Sequence, residues 1–178
     1  MINMQPEQGA FLLQMELAVL KNEHGATMRV IQAIPENHGD YKPEPLAKTG
    51  MELAWHIAAT EERLLTGVVN GGFDFSPMPR PDTIHNPAEI ASWYSETFAE
   101  IFGKLSKLSG EQAVKIVDFR GMFQLPAVSF VGFACRHTIH HRGQLSTYLR
   151  AMGGKVPSIY GESYDSAEAK KAAQATKA

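Results

Sequence analysis

His137 and His141 stand four residues apart in the run Arg136-His137-Thr138-Ile139-His140-His141-Arg142-Gly143-Gln144. On an α-helix four residues turn about 400°, so both imidazoles leave one face, a turn apart, and can grip one ion. A third histidine, His56, lies in a second strongly helical segment, Glu52 to Glu62. The pattern reads as a metal site with His56, His137 and His141 as ligands. Structural zinc sites usually close with four protein ligands, whereas three leave a position open to water or substrate. Imidazole suits zinc, nickel, copper or iron and does not suit magnesium or calcium. The competing reading is a set of core histidines satisfied by side chains and water. It has to explain why two helices both aim imidazoles inward, where each must be hydrogen-bonded or metal-bound to offset desolvation.

The remaining histidines are read differently. His140 lies about 60° round the helix from His137 and flanks the pair. His38 and His85 sit in polar loops and read as solvated. His24 is a possible substitute ligand, although Asn22 and Gly25 suggest a less apolar setting. Cys135, on nearly the opposite face from His137, reads as a small buried hydrophobe. The pair lacks the His-Glu-x-x-His pattern of zinc proteases, because Thr138 follows His137. Glu61 and Glu62 share the face of His56 poorly, so spacing assigns no general base. For Arg142 and Gln144 a surface salt bridge and an amide contact are preferred over ligand-orienting or carboxylate-binding roles.

Four long helices would position these side chains. The first spans about Pro6 to Ala33, with Phe11, Met15, Ala18, Asn22 and Gly25 along one face, where Ala18 and Gly25 would let a neighbour approach. Gly25 also invites a kink. The second opens on Thr49-Gly50-Met51-Glu52, a capping box, and stops at Asn70-Gly71-Gly72. The third opens on Asn86-Pro87 with Glu89 completing the box, and Ser109-Gly110 ends it. Val114 to Leu125 reads as irregular or a short strand. The fourth helix runs from near Pro126 to Gly153-Gly154. Trp55, Trp93, Tyr94 and Phe98 read as core or dimer-interface groups. Helices without strand alternation imply an all-α four-helix bundle. The long loop Pro35 to Lys48 permits a crossover topology.

With 178 residues, one domain is expected over 1–178, its body at about 6–161 and its tail at 162–178. Ser166 to Ala178 reads as a frayed helix or disorder. Lysines and arginines are scattered through a chain of net charge −2, which argues against a nucleic-acid partner. No signal peptide is visible, and no stretch approaches the roughly 18 apolar residues of a membrane span. A lone cysteine fits a reducing compartment, so a cytoplasmic location is expected.

Two motifs carry a family resemblance. His137 to Gln144 resembles the signature of the DinB/YfiT-like (damage-inducible) metalloproteins, and Leu53 to Glu61 resembles the segment that supplies their first metal histidine. Ile34-Pro35-Glu36, Tyr41-Lys42-Pro43 and Val156 to Gly161 also look like features of that family, so the resemblance spans about Phe11 to Gly161. It implies a bundle often of crossover topology, usually a homodimer, with zinc or nickel held by His56, His137 and His141. It further implies a small-molecule substrate and, from characterised relatives, use of a low-molecular-weight thiol such as mycothiol, bacillithiol or glutathione. Two functions follow as expectations: a metal-dependent thiol S-transferase, with metal-activated hydrolysis as its variant, or a non-catalytic metal-stabilised bundle responding to stress.

Overall fold

The computed structural model describes residues 4–176; the ends of the expected 1–178 domain lie outside them. Its helices are α1 (Pro6–Gln32), α2 (Gly50–Asn70), α3 (Pro87–Leu105), α4 (Gly110–Val114), α5 (Ala127–Ala151) and α6 (Tyr164–Ala175). One antiparallel hairpin, β1 (Ile116–Phe119) with β2 (Phe123–Pro126), pairs Ile116 with Pro126 and Phe119 with Phe123. The expected all-α bundle is present. Its long helices are α1, α2, α3 and α5.

Local chemistry sets the helix ends. The Thr49 hydroxyl accepts from Glu52 N, and the Glu52 carboxylate accepts from Thr49 N, as the capping box requires. Asn86 and Glu89 do the same for α3. Gly71 closes α2 in the left-handed region, at φ 68°, where a Cβ would be strained. Ser109, expected to end the third helix, instead caps the short α4 by accepting from Gln112 N, and α3 already stops at Leu105.

Around the bundle, α1 packs on α3 and α5, and α2 packs on the same two helices. Helices α1 and α2 therefore stand at opposite corners. The long connection between them is a diagonal crossover, as the loop length allowed.

The expected inner face of α1 is a correction. Phe11 is 66% exposed and Met15 54%, and Ala18 and Asn22 also face outward. The buried face carries Leu13, Leu20, Val30 and Ile31, together with Glu23, His24 and Thr27. Three polar residues concealed it from a hydrophobic pattern. Gly25 does not mediate a close approach, and α1 runs continuously through it. The tight contact is elsewhere: a Cβ on Gly110 would collide with the Pro6 carbonyl, which lets α4 lie against the start of α1.

The core has two apolar clusters. One gathers Ile31, Ile57, Ile90, Leu145 and Leu149; the other gathers Leu20, Leu65, Leu105, Phe130 and Val131. Along each long helix a polar layer separates them: Glu23, His24 and Thr27, then Glu61, the Tyr94 hydroxyl, and Thr138 with Arg142. The segment after α5 folds back, tied by the Arg150–Asp165 ion pair at 2.9 Å and by Ser163 Oγ donating to Val156 O. The described part of the expected frayed tail is α6, which buries no residue.

Candidate metal centre

Helices α2 and α5 pack directly on each other and bring His56, His137 and His141 together. One ligand-capable nitrogen from each lies within 4.8 Å of the others, and His56 Nε2 is 3.2 Å from His141 Nε2. Two nitrogens bound at 2.0–2.1 Å to one tetrahedral ion stand about 3.3 Å apart, so this spacing suits an ion. Among the described residues no carboxylate joins the cluster. All three rings are half-buried.

The electrostatics suit ligation. Burial, then the neighbouring His141 and Lys48 charges, pull His56 down to about 4. Burial and the adjacent imidazoles pull His137 to about 4, and His141 is lowered by burial as well. Neutral imidazoles are the form that binds metal. Gln144 Oε1 accepts from His141 Nδ1 at 2.7 Å, which turns the lone pair of His141 Nε2 toward the other rings. His137 Nδ1 is buried and has no hydrogen-bond partner among the described residues. A donor set of three neutral nitrogens with one orphaned buried atom could hold a divalent transition ion.

The other histidines stay apart from the cluster. His140 is exposed and flanks it, its ring centroid 4.8 Å from that of His141. His38 and His85 are exposed, and His38 Nδ1 contacts Met152 O at 2.8 Å. His24 is buried, stacked on Phe98 with centroids 3.7 Å apart, so its setting is more apolar than expected. Cys135 is buried, and burial pushes its thiol up to about 11.

Two residues differ from their sequence readings. Arg142 is 2% exposed and lies 2.6 Å from Glu23 Oε2, so it is neither a surface salt bridge nor free to meet a substrate. Glu61 is fully enclosed, accepting from Tyr94 Oη and Thr138 Oγ1, each at 2.6 Å. Comparison with the face of His56 alone does not reveal it. Its spacing from Ile57, Leu64, Leu65 and Val68 puts it on the apolar stripe, and that signal would have found it.

Burial raises Glu61 from the ordinary 4.5 to about 7, against the pull of Thr138, Tyr94 and Arg142. Burial also lowers His24 to about 4. The 4.0 Å approach of His24 Nδ1 to Glu61 Oε1 is therefore a contact of neutral groups between about pH 4 and about pH 7. The folded state holds the Glu61 proton more tightly than the unfolded chain does. The resulting stabilisation is complete below the unfolded pKa near 4.5 and lost as pH rises to about 7. It should reach on the order of 3 kcal/mol. Urea unfolding of wild type and Glu61→Gln between those pH values isolates it, because the histidines are common to both. Parallel stability curves would contradict this assignment.

A cleft of about 660 Å³ opens beside His56, walled by Lys48, Trp55, Arg63, Met78 and Arg80. No described helix is long and apolar enough to cross a membrane.

Comparison with known proteins agrees with this frame. The chain is 28% identical over 136 residues, covering 74% of it and 85% of the relative, to the uncharacterized protein YjoA of Bacillus subtilis strain 168. The crystal structure of that organism's DinB-like YjoA superposes with a TM-score of 0.69 at 21% identity, over 83% of this chain and 99% of the other. A DinB-like protein from Bacillus cereus ATCC 10987 gives 0.68 at 23%, over 82% and 95%. Those two likenesses establish the fold. The DinB family model matches residues 12–175, nearly the whole bundle with its histidine cluster, and the chain belongs to that family.

Proposed function

We propose that the protein is a metal-dependent enzyme in which His56, His137 and His141 hold zinc or nickel and a low-molecular-weight thiol is made reactive for S-transfer. The convergence of three neutral imidazoles beside an open cleft carries this reading. A bound ion would supply a Lewis-acid position that lowers the pKa of a thiol or water. The chain's own part is to orient and enclose. Gln144 fixes the His141 ring, and the packing of α2 on α5 leaves all three rings half-buried. In the transfer the sulfur forms a bond to carbon of an electrophile, the thiol proton passes to solvent, and the leaving group departs with its electron pair.

Elemental analysis of untagged protein, followed by glutathione, bacillithiol and mycothiol each paired with a reactive electrophile, tests the reading. Turnover no faster than that of metal-free His137→Ala would refute it. Turnover without added thiol would point to hydrolysis instead. Gln144→Ala is expected to weaken metal binding about 10- to 100-fold, read by competition with a coloured chelator. Unchanged affinity would show that the Gln144 contact does not orient the ligand.

A second reading has its own support. Among the described residues no carboxylate joins the cluster, and Glu61 is already committed to Tyr94 and Thr138. On that reading the metal stabilises a stress-related bundle, and its removal lowers the melting temperature while abolishing no turnover. Under either reading we propose a cytoplasmic homodimer. The exposed Phe11, Met15 and Val19 along α1 support a self-association face, which sedimentation would test.

A further inference from the structure

The chain has a net charge of −2, yet the cleft beside His56 is lined by three cations, Lys48, Arg63 and Arg80, against one carboxylate, Glu52. That carboxylate is occupied, accepting from Thr49 N at 2.8 Å as the cap of α2. Lys48 and Arg80 are exposed and make no hydrogen bond or ion pair among the described residues. Arg63 is half-buried, and its Nη2 donates to Ser76 O at 2.6 Å. Two residues on, Met78 O accepts from Trp55 Nε1 at 3.1 Å. These two bonds fix the loop against α2, so the wall that faces the cations is built rather than fluid. His56 itself lines the cleft, so cleft and histidine cluster adjoin. Three cations against one carboxylate leave the cleft with a net positive lining, which concentrates anions, and Leu46 and Met78 lie among them to cover carbon.

We propose that this cleft binds a small organic molecule bearing two or more carboxylates and presents it to the histidine cluster. Lys48 and Arg80 take the anionic groups, with the remaining N–H groups of Arg63 available as a third contact. Leu46 and Met78 line the carbon skeleton. Binding in the cleft stands by itself; the role as substrate or co-substrate rests on the reading of the cluster as a metal centre. A multiply charged acid is favoured over inorganic phosphate because three cations spread over one cleft can engage separated carboxylates at once, with Leu46 and Met78 among them for the carbon between.

The Trp55 indole N–H, one of two in the chain, donates to Met78 O in the cleft wall and reports on that wall. Its NMR shift is followed while full-length protein is titrated with succinate, with uncharged succinamide and with inorganic phosphate. Succinate is expected to move it saturably in wild type and equally in metal-free His137→Ala. In Lys48→Gln/Arg80→Gln the affinity should fall by about 10-fold or more. Both changed residues are exposed, so the variant should fold, and Lys48→Arg should keep the binding. Succinamide should leave the resonance unmoved. The proposal is overturned if succinate gives no saturable shift by about 10 mM, if the double variant binds as well, or if succinamide or phosphate matches succinate. Binding that disappears in His137→Ala would place the acid on the cluster and also overturn it. Binding kept in His137→Ala by a protein that takes up no metal would sustain the cleft while refuting the metal centre.

Discussion

Replacing Arg142 with alanine is expected to lower folding stability by about 3–5 kcal/mol, a large share of what a domain of this size possesses. The guanidinium is 2% exposed. Its Nη1 lies 2.6 Å from Glu23 Oε2 and also donates to Glu23 O at 3.2 Å and Thr27 Oγ1 at 3.3 Å. Its Nη2 donates to Tyr160 Oη at 2.6 Å, and that hydroxyl donates to Glu23 Oε2 at 2.8 Å. The alanine variant leaves the Glu23 carboxylate in a largely closed environment without its counter-charge. It also removes the Arg142–Tyr160 hydrogen bond, one of several ties on the segment after α5. Most of the cost is the stranded charge and not the worth of the pair, so removing both partners should be milder than removing one. Urea unfolding of Arg142→Ala, Glu23→Gln and the double variant checks this. A lysine at 142 should recover only part of the loss, because it cannot place several donors in one plane. A change under about 1 kcal/mol for Arg142→Ala would mean that water reaches the pair, as at a surface salt bridge.

That network shows where the sequence stops being legible. Thr49 with Glu52 and Asn86 with Glu89 are read correctly because a capping box is closed within four residues. His137 and His141 are legible because helical pitch alone brings them together. Glu23 and Arg142 are 119 positions apart, and nothing local in either marks the other. A buried charge resembles a solvated one until its partner is known, so Arg142 looked like a surface residue and Glu61 like a poor match to His56. The inward turn of α1 failed for the same reason. Its true face includes Glu23, His24 and Thr27, whereas the exposed side offers Phe11 and Met15. Both stripes carry apolar residues, and only the positions of α3 and α5 decide between them. The polar layer was thus the least visible part of the fold, although Thr138 and Arg142 on α5 fall in step with Leu145 and Leu149.

Substituting His137 with alanine is expected to abolish stoichiometric metal uptake. Of the three rings, His137 alone has a buried nitrogen, Nδ1, without a hydrogen-bond partner among the described residues, and losing the ring leaves two protein nitrogens where an ion needs more. An affinity loss of at least about 100-fold would remove roughly 2.7 kcal/mol of metal-induced stabilisation at a fixed excess of metal. The melting shift produced by metal in wild type should then largely vanish, while the metal-free proteins melt alike to within a few degrees. His140→Ala is the matched control, since that ring is exposed and flanks the cluster, and it should retain uptake. The proton competes with metal only where the ligands titrate. Burial lowers all three, with His56 and His137 near 4, so the neutral form persists below the ordinary imidazole value of 6.5. Metal should therefore remain bound as pH falls through 6.5 and leave on approach to about 4. Release centred near 6.5 would show that the rings are solvated, and retention of metal by His137→Ala would show that the ion sits elsewhere.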